Sequence, residues 1–152
     1  MDNTALCYRQ FGEPESVLQR ETAVKAPLQP DMLRVQMLLS PVNASDLIPI
    51  TGAYRHRITL PAIAGYEGVG RVIAAPVGFT HLLGQRVLPL RGEGTWQHYV
   101  DCPAALAIPV PDTIDTLLAA RAFINPLAAW LMLNLWPVQG KRVLLTAAGS
   151  DC

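Results

Sequence analysis

A glycine-rich segment with a single acidic residue, Leu60 to Arg71, constrains the fold of this chain more than any other stretch. Glycine adopts positive φ angles and tolerates close backbone contacts because it has no Cβ. Gly65, Gly68 and Gly70 therefore predict a sharp bend or tight packing against a neighbouring strand. Glu67 stands among apolar residues, where a carboxylate needs hydrogen-bond donors or a cation to offset its desolvation. The sequence alone does not identify that partner.

Composition limits the functions that the chain can serve. Apolar residues make up 51% of the 152 positions, but their runs are shorter than the ~18 residues of a membrane-spanning helix. Twelve basic and twelve acidic residues cancel, so the chain lacks the charge typical of proteins that bind nucleic acid or anionic membranes. The first four residues lack the features of a secretory signal. We expect a cytoplasmic protein whose ligand is a small molecule or another protein, with no nucleic-acid or membrane partner.

The placement of proline favours a β-rich architecture. Thirteen prolines separate short apolar runs, where they end strands and preset turns. The sequence predicts strands at Ala5 to Gln10, Val17 to Val24, Leu33 to Leu39, Val69 to Ala75 and Leu106 to Val110. The third of these has the clearest alternation of apolar and polar side chains, which predicts a half-buried strand.

At Asp112 the apolar spacing becomes helical. The segment from Asp112 to Asp115 predicts the start of one helix, and the Asn-Pro pair at 125–126 predicts the N-cap and first residue of a second. Lys141 to Thr146 is typical of a buried parallel strand. The small residues that follow, including Gly149 and Ser150, match the beginning of a nucleotide-binding βαβ unit. These patterns predict two domains, residues 1–111 and residues 112–152.

Two polar segments precede the glycine-rich turn. In the first, Asn43 or Ser45 can cap a short helix, and Asp46 suits the positive N-terminus of that helix as a capping acid. In the second, Tyr54 places one aromatic hydroxyl on a loop. The cations at Arg55 to Arg57 are interpreted as a solvent-exposed loop.

No metal site is predicted. The three cysteines are far apart and form no C-x-x-C pair, and the spacing of the three histidines matches no ligand set. These residues are Cys7, Cys102, Cys152, His56, His81 and His98.

In order and separation, seven motifs together resemble the medium-chain dehydrogenase/reductase superfamily over essentially the whole chain. The motifs are Pro41 to Asp46, Gly52 to Tyr54, Leu60-Pro61, Gly65 to Gly70, Gly84 to Val87, Gly94 to Trp96 and Val138 to Gly149. The resemblance implies a mainly β fold with some α-helix: a GroES-like, partly open β-barrel, then two helices and the first strand of an incomplete Rossmann domain.

The resemblance also implies the zinc-independent branch of the superfamily. Zinc-dependent members carry Cys where this chain has Asn43 and His where it has Tyr66, and neither residue here supplies the usual thiolate or imidazole ligand. That branch includes quinone oxidoreductases and 2-enoyl thioester reductases. The segment Ile124 to Leu133 looks more like the thioester reductases.

In those reductases hydride passes from NADPH to the β-carbon of a conjugated thioester. The resemblance implies Tyr54 and Asn43 as catalytic residues, with Tyr54 assisting at the carbonyl oxygen. It implies Asn125, Gly149 and Ser150 as contacts to the cofactor, without zinc. The family usually has a Gly-x-Gly turn where Asp151 and Cys152 stand here, and an acid at that place would repel a pyrophosphate.

Two functional hypotheses follow. In the first, the chain is a truncated NADPH-dependent reductase of activated C=C bonds, inactive and without bound cofactor by itself because too little of the Rossmann domain is present. In the second, it is a non-catalytic GroES-like module that forms a homo-oligomer through its exposed helices.

Overall fold

The computed structural model describes residues 1–91, 94–136 and 139–144. These residues form eight strands and four α-helices, with 3-10 turns at Val77–Leu82 and Ala104–Leu106. The strands are β1 (Asp2–Tyr8), β2 (Gln19–Val24), β3 (Met32–Leu39), β4 (Ala62–Ile63), β5 (Val69–Ala74), β6 (Arg86–Pro89), β7 (Tyr99–Pro103) and β8 (Ala107–Pro109). The helices are α1 (Pro14–Val17), α2 (Ala44–Leu47), α3 (Thr116–Ala120) and α4 (Ile124–Leu135).

The strands form two antiparallel sheets. One has the order β2-β1-β4 and the other β7-β3-β5-β6-β8. The segment before β7 joins them, because the Leu6 N–H donates to Trp96 O at 2.9 Å and the Met37 N–H donates to His98 O at 2.9 Å. Within the described residues the sheets do not close on each other, so the predicted GroES-like, partly open barrel is confirmed.

The core lies on one face of β3, which the alternation identified correctly. Leu33 and Val35 are fully buried and pack in one cluster with Cys102. Burial raises the pKa of the Cys102 thiol to about 12, as expected for a structural cysteine. Arg34, expected on the exposed face, is also buried, because its guanidinium forms two 2.8 Å bonds to the Asp101 carboxylate on β7.

The glycine-rich turn makes the close contacts that the sequence predicts. Gly65 has a φ of +89°, and a Cβ there would lie 2.4 Å from Trp96 Cδ1. A Cβ on Gly70 would lie 2.4 Å from Val35 Cγ1, across the β3–β5 pair. Both positions therefore need glycine, the first for its backbone angle as well as for space.

Three element boundaries differ from the sequence prediction. The short helix α1 replaces the beginning of the second predicted strand, so that β2 starts at Gln19. The first helix beyond Asp112 starts at Thr116, since the Asp115 carboxylate caps it by accepting the Leu117 N–H at 2.8 Å. The next helix begins one residue before Asn125, which is therefore not its N-cap.

The strand predicted at Lys141 to Thr146 is wrong over residues 141–144, which form neither strand nor helix. Val143 and Leu144 are exposed, the latter by 86%. A strand needs a neighbour to pair its backbone groups, and the described strands pair only within the two antiparallel sheets. The remaining two residues of that run lie outside the described part of the chain.

Among the described residues, no helix has the length and apolar character needed to cross a membrane.

Candidate functional site

A cleft of about 910 Å³ lies beside the glycine-rich turn. Its wall is formed by α2, by the segment that leads into the turn, by the end of β6 and by the start of α4. Most of the wall is apolar, with Ile58, Ile63 and Ile124 among the lining residues. The polar side chains on the wall include those of Ser45, Asp46, Arg57, Tyr66 and Arg91.

The Asp46 carboxylate links α2 to the glycine-rich turn through hydrogen bonds. Its Oδ2 accepts the Asn43 N–H at 2.7 Å, and its Oδ1 accepts the Tyr66 N–H at 3.0 Å. The side chain is almost fully buried, and this burial raises the pKa of its carboxyl, although the two backbone hydrogen bonds oppose the shift. The predicted role as a capping acid is confirmed, and the same carboxylate also fixes the backbone at Tyr66.

Glu67 joins three parts of the chain through a carboxylate that is only 3% exposed. Its Oε1 accepts a hydrogen bond from the Asn43 side-chain amide at 2.9 Å, and its Oε2 accepts the Ile124 N–H at 2.9 Å. Because Ile124 is the first residue of α4, the carboxylate also lies at the positive end of that helix. The partners that the sequence left unnamed are therefore an amide and a helix N-terminus.

Two phenols, those of Tyr8 and Tyr66, line this cleft, and the phenol of Tyr54 lies near Tyr66. Tyr66 lines it and is half exposed, and burial, with smaller contributions from Asp46 and Tyr54, raises the pKa of its hydroxyl. The Tyr66 phenol therefore stays protonated at neutral pH and can donate a hydrogen bond. Tyr54 is 45% exposed on the loop between α2 and β4, and it is not among the described residues that line the cleft.

The structure brings some of the predicted site residues together and not others. Asn43 is buried with its amide donating to Glu67, behind the cleft wall. Asn125 is the second residue of α4, next to Ile124 on the wall. Gly149 and Ser150 lie outside the described residues. The catalytic roles of Tyr54 and Asn43 and the cofactor contact of Asn125 stay predictions.

Sequence reasoning missed three residues of the wall. Arg57 and Arg91 line the cleft. Arg57 is exposed, as expected for its loop, but its place on the cleft wall was not predicted. The Ser45 hydroxyl oxygen is buried and has no hydrogen-bond partner among the described residues. None of the three has a local signal, because each meets the cleft through tertiary packing.

The described residues contain no group of three or more His, Cys, Asp or Glu side chains that could hold a metal ion. Both described sheets are antiparallel, whereas dinucleotides in open α/β folds bind at the carboxyl ends of parallel strands. The cleft beside the glycine-rich turn is open enough to form one wall of a cofactor site.

Residues 29–112, more than half of the chain, match the alcohol dehydrogenase GroES-like domain. The chain belongs to this GroES-like family. Its homologues are enoyl-[acyl-carrier-protein] reductases and quinone oxidoreductases of the medium-chain dehydrogenase/reductase superfamily, and the GroES-like chain covers their N-terminal part.

Among curated relatives, the mitochondrial enoyl-[acyl-carrier-protein] reductase of Caenorhabditis elegans is 39% identical over 133 residues, covering 86% of this GroES-like chain and 38% of the relative. The human enzyme of the same name is 36% identical over 131 residues, covering 85% and 35%. The chain thus spans little more than a third of the length of these relatives.

Solved structures of related proteins also superpose on this chain. A Bacillus thuringiensis protein assigned as an NADPH:quinone reductase superposes with a TM-score of 0.86 at 50% identity, covering 88% of the GroES-like chain and 41% of that protein. The complex of Etr1p with NADP and crotonyl-CoA superposes with a TM-score of 0.76 at 29% identity, covering 96% and 45%.

Proposed function

We propose that this GroES-like chain forms the substrate-side domain of an NADPH-dependent reductase of activated C=C bonds, with a 2-enoyl thioester as substrate. The main support is the cleft: an apolar wall, with a protonated phenol on it and a second phenol beside it, suits an acyl chain that ends in a polarised carbonyl. The relatives named as enoyl-[acyl-carrier-protein] reductases favour a thioester over a quinone.

The residues of the chain act on the thioester in three ways. Ile58, Ile63 and Ile124 bury the acyl chain and exclude water from it. The Tyr54 hydroxyl donates a hydrogen bond to the carbonyl oxygen as that oxygen gains enolate character. Asn43, held by Glu67, fixes the polar end of the site. NADPH, when bound by the whole protein, supplies the hydride.

Binding of a small thioester to the 152-residue chain tests this proposal. We expect crotonyl-N-acetylcysteamine to bind, and Tyr54→Phe to weaken binding about 2- to 10-fold, which corresponds to one hydrogen bond. Tyr99→Phe is the matched control, because Tyr99 is on β7, whereas Tyr54 lies near enough to Tyr66 on the cleft wall to raise the pKa of its hydroxyl. Two-dimensional NMR titration gives both affinities, and equal effects of the two variants would contradict the role of Tyr54.

The same chain should neither bind NADPH in the micromolar range nor oxidise it in the presence of the thioester. Absorbance at the nicotinamide band and fluorescence titration measure both. Micromolar binding of NADPH would contradict the inactivity of the chain by itself.

Self-association through α4 is the second candidate function. No side chain of this helix is buried, and its large apolar residues are exposed to an extent unusual for a monomer. They are Leu127, Trp130, Leu131, Met132, Leu133 and Leu135. A second copy of the chain would cover them across a two-fold axis.

Sedimentation velocity should therefore detect a dimer, and Leu131→Glu should shift it to monomer by placing a charge in the interface. Val77→Glu is the control, since Val77 is an exposed apolar residue on a 3-10 turn far from α4 in sequence. A chain that sediments as a monomer at high concentration would rule this function out.

A further inference from the structure

Two arginine side chains on the cleft wall have no assigned partner. Arg57 and Arg91 line the cleft, and within the described part of the chain neither guanidinium forms a hydrogen bond or ion pair. Other arginines are held by protein groups: Arg34 by Asp101, and Arg86 by the carbonyls of Pro111 and Ile114. A guanidinium that faces a cleft without a protein acceptor is available to an anionic ligand.

The backbone conformation at both arginines is defined. The Arg57 N–H donates to Tyr54 O at 2.8 Å, so Arg57 lies one turn from the proposed catalytic phenol. Arg91 lies two residues after the end of β6 and has a φ of +51°, the only positive φ of a non-glycine residue in the described ranges. A residue with a Cβ adopts this conformation at an energetic cost, and such residues cluster at functional sites.

Other charged groups at the cleft do not compete with the two arginines. Among the described residues, Asp46 is the acidic one on the wall, but it is buried, and its two oxygens already accept N–H bonds from Asn43 and Tyr66. The N-terminus of α4 also reaches the wall at Ile124, but the Ile124 N–H donates to Glu67. The capacity of this wall to bind an anion therefore resides in Arg57 and Arg91.

We propose that Arg57 and Arg91 form a subsite for a phosphate ester group of the ligand that occupies the cleft. This inference rests on the proposed function, because a thioester substrate is carried on a phosphorylated carrier whereas a quinone has no phosphate. Both the thioester carrier and NADPH contain phosphate esters, so the same chemistry has two sources. Bidentate hydrogen bonds from guanidinium to phosphate oxygens provide the recognition.

The test compares three ligands by isothermal titration calorimetry on the 152-residue chain. Crotonyl-CoA and crotonyl-N-acetylcysteamine share the acyl thioester, and crotonyl-CoA adds the pantothenate arm, the adenosine and the phosphates; NADPH supplies phosphate without the acyl group. The arginine variants then assign the phosphate-dependent part of the difference. We expect Arg57→Gln and Arg91→Gln each to weaken crotonyl-CoA binding about 5-fold and to leave crotonyl-N-acetylcysteamine unchanged. Raising NaCl from about 50 to about 500 mM should reduce only the phosphate-dependent part of the affinity.

Arg55→Gln is the matched control. Arg55 belongs to the same basic run, but it is turned away, with its guanidinium 5.9 Å from the centre of the Phe11 ring and its Nε donating to Gly52 O at 3.2 Å. The variant removes the same charge from the same loop. It should bind crotonyl-CoA like the unchanged chain, and Arg57→Lys should retain part of the affinity.

The outcomes separate the two proposals. If NADPH rather than crotonyl-CoA depends on the two arginines, the subsite stands and its phosphate belongs to the cofactor. If both thioesters bind equally and neither arginine matters for any ligand, the subsite is overturned while the proposed function survives. If phosphate ligands bind through the arginines but crotonyl-N-acetylcysteamine does not bind, the subsite stands and the proposed substrate fails. Absence of binding by all three ligands overturns both.

Discussion

Glu67→Ala should lower the free energy of unfolding by about 2–6 kcal/mol, because it leaves one buried and one partly buried donor without an acceptor at about 1–3 kcal/mol each. One is the Asn43 amide and the other is the Ile124 N–H at the start of α4. Loss of the negative charge at the helix N-terminus adds to the destabilisation. Urea denaturation followed by circular dichroism measures the change.

Two further variants serve as controls for the effect of Glu67→Ala. Glu67→Gln keeps one acceptor oxygen, so we expect it to be less destabilising than alanine. Glu21→Ala removes a carboxylate of an exposed pair, in which Glu21 accepts from Arg9 at 2.8 Å, and such pairs contribute little to stability because water screens them. If Glu67→Ala cost no more than Glu21→Ala, water would satisfy the two donors and Glu67 would not brace α4 against the barrel.

The role of Glu67 illustrates what the sequence can and cannot predict about this site. An acid within a glycine-rich apolar turn must be compensated, and that requirement is local. The compensating groups are 24 and 57 residues away along the chain, and only the folded barrel brings them together. Asp46 shows the complementary case, because its bond to the Asn43 N–H is local and predictable, whereas its bond to Tyr66 is not.

The basic run Arg55 to Arg57 gives the same lesson for the cleft. Neighbouring residues on a loop have similar sequence signals, so both arginines were expected to face solvent. Both are exposed, but their surroundings differ: Arg55 lies over the Phe11 ring, and Arg57 also lines the cleft. A side chain's direction on an irregular loop has no period that a sequence pattern could reveal.

The fold was easier to predict from the sequence than the site, because the sequence patterns that indicate strands and turns repeat along the chain. Alternation identified β3, and prolines and glycines separated the strands. The errors occur where a helix cap or a strand partner depends on residues distant in the sequence. The helix α4 starts at Ile124 with no side-chain cap of its own, since the Glu67 carboxylate accepts its first N–H. The apolar residues at 141–144 form no strand because the described sheets offer them no partner.

Gly70→Ala should destabilise the barrel by about 3 kcal/mol, as expected for an extra carbon in a filled core. The new Cβ would lie 2.4 Å from Val35 Cγ1 and 2.5 Å from Gln36 O. Val35 is fully buried and Gln36 O belongs to strand backbone, so neither can move freely. The β3–β5 pair would have to separate, and with it the turn that carries Tyr66 and Glu67 would shift.

Gly78→Ala is the matched control for the same chemical change. A Cβ there meets no atom within 4 Å and its φ is not positive, so the substitution should be neutral or slightly stabilising through the unfolded chain. A double-mutant cycle with Val35→Ala isolates the contact, because removing Val35 Cγ1 leaves only the backbone obstacle. Gly70→Ala should therefore cost less in the Val35→Ala background. If Gly70→Ala lowers the free energy of unfolding equally in both backgrounds, the whole effect comes from the β3 backbone. If it lowers that free energy no more than Gly78→Ala does, the strand pair accommodates a methyl group and does not fix the turn.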